Sequence, residues 1–317
     1  MKADLLSIVV PVFNEEETLP FTHERLLALT QAPTLPKKLQ IVYVNDGSTD
    51  GSRSLLDRFA RESAGGVEVK VIHFTRNFGH SAAVTAGLNE STGDLIGIID
   101  ADLQDPPELF AEMAALIAQG WDVVYGQRTQ RRGESIFKRV TAWSFYRLLN
   151  LITGVEIPRD VGDFRLITRE VADALLACHD QNPFLRGLVA WVGFEQKALP
   201  YVRDPRRYGR TKYPLRKMVR LASEAALSFS SAPLRLAAHL GLVGLFLSIA
   251  IGVWALWTRL EGRAVSGWTS LLDGMLLGQS FVLLCIGFIG SYTGRIYTHV
   301  QRRPRYIIRK RTDWPGR

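Results

Sequence analysis

Asp100, Asp102 and Gln104 stand at alternate positions directly after an apolar run that predicts a buried strand. Carboxylates crowded at the end of a buried strand repel each other and lose hydration, so a nearby cation would stabilise them. Two carboxylates and an amide supply hard oxygen ligands, which suit Mg²⁺ or Mn²⁺ better than zinc. The spacing therefore predicts a divalent-metal site, although a solvated turn can carry the same Asp-x-Asp pattern.

Asp105 closes this motif, and its position predicts a structural role. Pro107 suits the first turn of a helix, where its missing N–H is no loss. Asp105 is then placed to cap that helix with its carboxylate. We therefore assign chemistry to Asp100, Asp102 and Gln104 and architecture to Asp105.

Three further polar motifs follow predicted strands. They are Asn14-Glu15, Asn45-Asp46-Gly47 and Gln127-Arg128. Because the carboxyl ends of parallel strands meet at one edge of a sheet, where ligands bind, these motifs are expected to converge with the metal motif. Ser48 or Asp50 can cap the helix that follows the second motif, which leaves Asp46 for a base or a ribose.

Arg76 and Asn77 precede a predicted helix whose N-terminus could face a phosphate. His80, close to them in the sequence, is interpreted as incidental rather than catalytic. Neither GxxxxGK[ST] nor GxGxxG occurs, and their absence from the sequence argues against P-loop proteins and dinucleotide-cofactor enzymes.

The elements that would position these motifs alternate between strands and helices up to residue 200. Strands are predicted at Leu6–Phe13, Gln40–Asn45, Val69–Phe74, Leu95–Asp100 and Asp122–Gly126, with later ones in VGDFRLITRE and at Gln196–Val202. Helices are predicted at Glu16–Thr30, Gly51–Glu62, Gly79–Asn89, Pro107–Gln119 and Glu134–Asn150. This alternation predicts an α/β fold with a largely parallel sheet that helices cover on both faces.

Two apolar runs near the C-terminus predict a transmembrane hairpin. Leu240–Trp257 has 18 residues and Gly274–Gly294 has 21, each without a charge and each long enough to span a bilayer. Eight Lys/Arg lie in Arg203–Arg220 and seven in Arg295–Arg311, whereas the loop between the runs carries two. The positive-inside rule then places both termini in the cytoplasm. A pair of buried core helices is the alternative interpretation.

The remaining segments fit this organisation. A basic amphipathic helix is predicted at Pro214–Phe229, where it suits the lipid–water interface; an ordinary surface helix is the alternative. We therefore expect a catalytic domain at 1–212, juxtamembrane amphipathic helices at 213–236, the hairpin at 237–296 and a basic cytoplasmic tail at 297–317. The formal net charge of +8 suits an anionic partner such as acidic lipid, a phosphorylated substrate or nucleic acid. The charges of the tail are interpreted as membrane-surface charges.

The order of these motifs resembles the polyprenyl-phosphate glycosyltransferases. These are family 2 enzymes of the GT-A fold, which is Rossmann-like, and they include dolichol-phosphate mannose synthase and the bactoprenol glucosyltransferases. The matching segments are PVFNEE, VNDGSTDGS, RNFGHSAAVTAG, DADLQDPPE, VGDFRL, RRYGRTKYP and GRIYTHVQRRPRYIIRK, which extend over nearly the whole chain. VGDFRL, NPFLRGLVAWVG and GRIY are most similar to the bactoprenol branch. The branch that transfers aminoarabinose is similar in architecture and is the close alternative.

The resemblance implies a role for each matched position. Residues that would contact the nucleotide sugar are Pro11, Phe13, Glu15, Asp46, Asn77, Asp100 and Gln104. The metal ion would be held by Asp100, Asp102 and Gln104. The phosphates, chiefly that of the lipid acceptor, would be bound by Arg128, Arg139, Arg206 and Lys212. Catalysis would depend on Asp102, Arg128 and Asp163, the last lying near the sugar or the acceptor with Arg165 as a candidate partner.

The reaction implied by the resemblance is attack of polyprenyl phosphate, undecaprenyl phosphate in bacteria, on the anomeric carbon of a nucleotide sugar, with inversion. A phosphate monoester is largely anionic at neutral pH because its second pKa is about 6, so it needs little help from a general base. It needs cations that hold two anionic substrates together and a metal that stabilises the leaving diphosphate. UDP-glucose is the expected donor. The expected setting is a homotetramer in the bacterial inner membrane with no nucleic acid partner.

Other functions are alternatives to this one. Aminoarabinose or mannose could replace glucose. A processive polysaccharide synthase would carry Gln-x-x-Arg-Trp and more spans, and a nucleotidyltransferase would carry a Gly-rich phosphate loop near the first strand; the sequence has neither pattern. A membrane scaffold or flippase partner that keeps the fold is the non-enzymatic alternative, and intact Asp100 and Asp102 argue against it.

Overall fold

A computed structural model describes residues 3–62, 66–129, 161–178, 185–202, 232–262 and 267–312. The chain divides into two compact units. Within the described residues, the first unit contains everything up to residue 202 together with residues 304–312, and the second contains residues 232–262 and 267–303.

The first unit is built on one eight-stranded sheet. Its strands are β1 (Leu5–Val12), β2 (Lys38–Asn45), β3 (Val67–Phe74), β4 (Leu95–Ile98), β5 (Val123–Arg128), β6 (Val161–Thr168), β7 (Gln196–Tyr201) and β8 (Ile308–Thr312). Their order across the sheet is β7-β5-β6-β4-β1-β2-β3-β8, and only β6 and β8 run antiparallel to their neighbours. The predicted α/β fold with a mostly parallel sheet is confirmed.

Six helices accompany the sheet among the described residues. They are α1 (Leu19–Ala28), α2 (Ser52–Glu62), α3 (His80–Glu90), α4 (Phe110–Ala118), α5 (Arg169–Ala177) and α6 (Leu185–Trp191). Because helices pack on both faces, the central strands read as continuous apolar runs, and β1 and β2 are each buried along all but their first residue. The predicted strands and helices agree with these elements to within about three residues at each end, the accuracy expected of element boundaries read from sequence.

The helix after the metal motif begins differently from the prediction. A short 3-10 helix covers Pro107–Leu109, and α4 starts only at Phe110. Pro106 occupies the cap position, and no side chain caps that turn. The predicted helix cap at Asp105 is therefore wrong, because the carboxylate of Asp105 is turned towards Tyr201 instead.

The strand order places the chain's functional motifs around one crevice. From β1 the chain continues outwards to β2 and β3 and then returns to the other side of β1 as β4. In sheets of this kind, ligands bind beyond the carboxyl ends of the strands where the order reverses, here between β1 and β4. Because β6 is antiparallel to β4, its first residues lie at that same edge.

The second unit consists of two long helices, α7 (Ala232–Leu260) and α8 (Trp268–Val300). By length and composition, one segment of the described chain, Gly278–Val300, could cross a membrane, while the shorter apolar segment His239–Trp254 falls below that length. Large apolar side chains are exposed along both helices, among them Phe246, Trp254 and Ile286. The two-span hairpin therefore stays a prediction.

Several predicted features lie outside the described residues. These are the helices at Glu134–Asn150 and Pro214–Phe229 and the phosphate-binding candidates Arg139, Arg206 and Lys212.

Candidate active site

A group of four aspartates forms the carboxylate edge of the sheet, defined as Asp100, Asp102, Asp105 and Asp163. Asp102 is 8% exposed, and its Oδ1 accepts a hydrogen bond of 3.2 Å from the backbone N–H of Gln104. The residue between them, Leu103, has φ 58°, a left-handed conformation that is strained for a leucine. The turn therefore holds Asp102 and Gln104 in a fixed relation just beyond β4.

The surroundings of Asp100 in the carboxylate edge disfavour its negative charge. Burial, followed by the charges of Asp163, Asp102 and Asp105, raises the pKa of Asp100 to about 6, against the opposing effect of His80. A divalent cation would reverse this balance, because it favours the charged form of each carboxylate. Within the described residues, no group of three or more His, Cys, Asp and Glu side chains is arranged to hold a metal. The predicted ligand set of two carboxylates and one amide fits a hard cation by its donor chemistry.

Asp163 is the member of the carboxylate edge that lies closest to Arg186 and His80. Arg186 contacts it with two hydrogen bonds of 3.1 and 3.2 Å, and His80 Nε2 lies 3.1 Å from its Oδ2. Arg165, the expected partner, lies farther away at 3.7 Å. Burial disfavours the charge, but the hydrogen bond from His80 and the charge of Arg186 hold the pKa of Asp163 well below its usual range. A carboxylate with so low a pKa is a poor proton acceptor at neutral pH.

His80 also belongs to this cluster, which its sequence position did not indicate, while its interpretation as non-catalytic stays a prediction. It is the first residue of α3, and its Nδ1 lies 3.8 Å from Asp100 Oδ1. Burial disfavours the imidazolium, yet the hydrogen bond to Asp163 and the charges of Asp100 and Asp163 raise the pKa of His80 to about 8. His80 thus bridges the metal motif and Asp163. Arg186 was also missed, although it stands in the segment NPFLRGLVAWVG and a buried carboxylate generally needs a cation.

Arg128 is held at the end of β5 by Asp105 and Tyr201. Its Nη2 lies 3.9 Å from Asp105 Oδ2, and its Nε lies 3.4 Å from the hydroxyl oxygen of Tyr201, which itself donates a hydrogen bond to Asp105. The guanidinium also packs on Gly162, where a Cβ would lie only 2.5 Å from Nη2. Asp105 therefore has a structural role, as predicted, but it acts by fixing an arginine beside the metal motif.

The loops after β1 and β2 are tied together on the other side of the crevice. Asn14, with φ 56°, donates its backbone N–H to Ser48 Oγ at 3.0 Å and accepts a hydrogen bond of 2.8 Å from the N–H of Thr49. Gly47, with φ 69°, lies so close to the loop after β3 that an added Cβ would be 2.4 Å from the carbonyl carbon of Arg76. The three loops thus form one surface at the switch point.

Asp46 contributes to this surface by organising the loop after β3. Its two carboxylate oxygens accept hydrogen bonds of 2.6 and 2.9 Å from the backbone N–H groups of Phe78 and Gly79. The expectation that Asp46 is left over for a base or a ribose stays a prediction. Its two observed bonds give it a structural task before any ligand binds.

The other predicted nucleotide-sugar contacts also reach this edge. Pro11 is buried in β1 opposite Val44, and Phe13, just beyond the strand, is 46% exposed. Glu15 accepts a hydrogen bond from the hydroxyl of Thr18, and Asn77 lies in the loop after β3. The structure brings these residues to the crevice, while their roles stay predictions.

Comparison with known proteins places this architecture in context. Residues 7–176 match the protein family described as Glycosyl transferase family 2. An uncharacterized glycosyltransferase of Bacillus subtilis, YkcC, is 45% identical over 96% of this chain and 93% of its own length. A prophage bactoprenol glucosyl transferase homolog of Escherichia coli is 38% identical over 96% of this chain and 98% of its own.

Solved structures show a weaker similarity. Glucosyl-3-phosphoglycerate synthase from Mycobacterium tuberculosis, crystallised with Mn²⁺, UDP-glucose and phosphoglyceric acid, is 21% identical with a TM-score of 0.46, covering 71% of this chain and 78% of that one. A likeness at this level carries no argument about ligands.

Proposed function

Since the chain belongs to glycosyl transferase family 2, we propose that it transfers a sugar from a nucleotide sugar to polyprenyl phosphate. The observation that carries the proposal is the similarity to a bactoprenol glucosyl transferase homolog over 96% of the chain. That similarity extends past the family segment 7–176 into the long apolar helices, which a soluble acceptor would not require. By the same similarity, glucose from UDP-glucose is the proposed sugar and undecaprenyl phosphate the proposed acceptor.

The carboxylate edge is the proposed site for the leaving diphosphate. Asp100, Asp102 and Gln104 would hold Mg²⁺ or Mn²⁺, which neutralises diphosphate charge when bound. The raised pKa of Asp100 supports this assignment, because burial and the neighbouring carboxylates disfavour its charge, which such an ion would favour.

The acceptor is proposed to need cations rather than a base. The second pKa of a phosphate monoester is about 6, so the nucleophilic oxygen is largely deprotonated at neutral pH. The low pKa of Asp163 also supports a mechanism without a general base, because this carboxylate is a weak proton acceptor. Asp163 would instead orient His80 and Arg186 at the crevice, with Arg128 binding phosphate. Arg139, Arg206 and Lys212 are further proposed phosphate ligands.

The nucleoside is proposed to bind at the switch point, across the loops after β1, β2 and β3. Its contacts would be Pro11, Phe13, Glu15, Asp46 and Asn77. Phe13 supports this placement, because its side chain is 46% exposed directly after β1, at the carboxyl end of the strand.

The second unit is proposed to anchor the protein in the bacterial inner membrane. Its two helices expose large apolar side chains, which water would not favour. We propose the organisation expected from the sequence, with a cytoplasmic catalytic domain at 1–212, juxtamembrane helices at 213–236 and a two-span hairpin at 237–296. Cysteine labelling from either side of sealed vesicles tests this topology.

The deciding experiment is a donor panel with the purified full-length protein. UDP-glucose, GDP-mannose and formylated UDP-aminoarabinose would each be assayed with undecaprenyl phosphate and Mg²⁺ or Mn²⁺. We expect a lipid-phosphate sugar from UDP-glucose. Product from another donor would correct the sugar and keep the reaction, whereas no product from any donor would favour a scaffold or a flippase partner.

A further inference from the structure

The C-terminal segment 304–312 forms part of the catalytic sheet, which its basic composition does not suggest. Its strand β8 pairs antiparallel with β3, and Tyr306 stacks on Phe74 at a centroid distance of 5.0 Å. The guanidinium of Arg305 donates a hydrogen bond of 2.6 Å to the carbonyl of Cys178. The interpretation of its charges as membrane-surface charges therefore misses their contacts within the first unit.

Alternate residues of β8 reach the two faces of the sheet, as the strand geometry requires. Lys310 and Thr312 contact Asp57 on α2, with Lys310 Nζ 3.2 Å from its Oδ2 and Thr312 Oγ1 2.7 Å from its Oδ1. Arg311 contacts Glu90, the last residue of α3, at 3.0 Å.

The contact with Asp57 continues across the sheet through a cross-strand row, defined as Lys310, His73 and Asn45. These three residues are register partners on β8, β3 and β2. Asp57 Oδ1 lies 3.1 Å from His73 Nε2, and His73 Nδ1 lies 3.0 Å from Asn45 Nδ2. With the amide N–H of Asn45 donating to Nδ1, the neutral ring donates its Nε2–H to Asp57.

The row ends at the loop after β2, here named the β2 loop (residues 45–49). Asn45 Oδ1 accepts a hydrogen bond of 2.9 Å from the backbone N–H of Ser48, whose hydroxyl accepts from Asn14 N–H at 3.0 Å. His73 and Asn45 are buried, whereas Lys310 is exposed. Water therefore poorly replaces the hydrogen bonds of His73 and Asn45.

We propose that Lys310 and Thr312 are positioning residues for nucleotide-sugar binding, acting through Asp57, His73 and Asn45 on the β2 loop. They fix the Asp57 carboxylate, which fixes the His73 ring and, through Asn45, the conformation of the loop. This inference deepens the proposed function and rests on it for the identity of the ligand. Lys310 and Thr312 thereby serve donor binding, although they lie in the tail whose charges the sequence assigns to the membrane surface.

The test compares two sets of variants in the full-length protein. The Lys310→Ala/Thr312→Val variant removes two of the three side chains that bind Asp57. Arg311→Ala is the matched control, because it breaks an ion pair of the same strand, that with Glu90. Glu90 then keeps its ion pair with Lys70 at 3.0 Å. Among the described residues, no hydrogen bond of the Glu90 side chain leads to the β2 loop.

The first readout is hydrogen exchange of the Ser48 and Thr49 amides without substrates, which does not depend on the proposed function. We expect about tenfold faster exchange in Lys310→Ala/Thr312→Val, the effect of losing about one hydrogen bond, and a wild-type rate in Arg311→Ala. The second readout is kinetic. The KM for UDP-glucose should rise about three- to tenfold, while the KM for undecaprenyl phosphate stays within about twofold.

Lys310→Arg with Thr312 unchanged keeps a cation opposite Asp57, so both the exchange rates and the KM for UDP-glucose should stay at wild-type values. Equal effects of Lys310→Ala/Thr312→Val and Arg311→Ala would show a general contribution to folding and overturn the proposal. So would a change confined to the KM for undecaprenyl phosphate, or unchanged exchange of the β2 loop. If the wild-type protein turns over no donor, the proposed function fails, and the exchange rates still decide whether the row holds the β2 loop.

Discussion

Two aspartate–histidine pairs at the sheet have the same geometry and opposite electrostatics. Asp163 lies 3.1 Å from His80 at the carboxylate edge, and Asp57 lies 3.1 Å from His73 beside β8. The pKa of His80 is raised to about 8, whereas the pKa of His73 is lowered. An identical contact thus has different consequences in the two places.

The difference arises from what surrounds each ring. Burial opposes the charge of both, but His80 is in addition close to Asp100, and two carboxylates outweigh that penalty. His73 is almost completely buried, and the nearby charges of Arg53 and Lys310 add to the penalty, which Asp57 only partly offsets. The carboxylate edge therefore concentrates negative charge where a cation can bind, and the cross-strand row forms a neutral hydrogen-bonded support.

The largest expected effect tests whether the carboxylate edge carries the chemistry. Asp102→Ala should reduce turnover at least 10²- to 10³-fold, the usual loss when an electrostatic stabiliser of a transition state is removed. The measurement is sugar transfer to undecaprenyl phosphate at saturating Mg²⁺ or Mn²⁺. Asp173→Ala, which removes an exposed carboxylate from α5, should retain wild-type turnover. Near-normal activity of Asp102→Ala would contradict the metal assignment.

The next largest effect is expected where the loop after β2 touches the loop after β3, between the carboxylate edge and the cross-strand row. Gly47→Ala should destabilise the protein by about 1–2 kcal/mol for a left-handed alanine and by a further ~1–3 kcal/mol for the clash with Arg76. Gly66→Ala is the matched control, because Gly66 also has positive φ, at 86°, and its Cβ would meet nothing within 4 Å. Thermal unfolding of both variants separates backbone strain from the clash. Equal loss of stability in the two would show that the close approach of the loops contributes nothing.

A smaller effect is expected behind the carboxylate edge. Tyr201→Phe removes the hydroxyl that donates to buried Asp105 and should cost about 1–3 kcal/mol of unfolding free energy. Tyr125→Phe on β5 is the control, since its hydroxyl makes no hydrogen bond within the described part of the chain. Urea denaturation gives both values. A Tyr201→Phe variant as stable as Tyr125→Phe would mean that the hydrogen bond from Tyr201 to Asp105 adds nothing to the free energy of unfolding.

The sequence indicates the central strands and helices because their signals are local. The apolar runs of β1 and β2 and the breaks after them predict those elements directly. The last strand was missed because three of the five residues of IRKRT are charged, and the segment becomes a strand only through the edge of β3, Asp57 and Glu90. All three of these partners lie more than 200 residues away in the sequence.

The candidate site divides in the same way. The spacing of Asp100, Asp102 and Gln104 is a local sequence pattern that indicates a site. In the structure the three residues lie in one turn after β4, where the backbone N–H of Gln104 donates to Asp102. The roles of His80 and Arg186 depend on Asp163, which lies 83 and 23 positions away, so the local segments that contain these two residues do not reveal their partner. Asp105 shows the reverse error, because a plausible local cap was outcompeted by a tyrosine 96 positions distant.

The smallest expected effect tests the two histidines directly. Below pH 6.5 the raised pKa of His80 stabilises the fold, and this contribution is lost as the pH rises through about 8. The lowered pKa of His73 has the opposite effect, so its contribution to stability is lost as the pH falls below 6.5.

NMR titration of histidine-labelled protein in EDTA should resolve one ring with a pKa above the ordinary value and one with a pKa below it. Asp163→Asn should lower the pKa of His80 and leave His73 unchanged, because it removes one of the two negative charges that favour the imidazolium. Asp57→Asn should lower the pKa of His73 further and leave His80 unchanged. If His80 stays near 8 in Asp163→Asn, Asp100 alone sustains its charge, and the contrast between the two pairs rests on that one carboxylate.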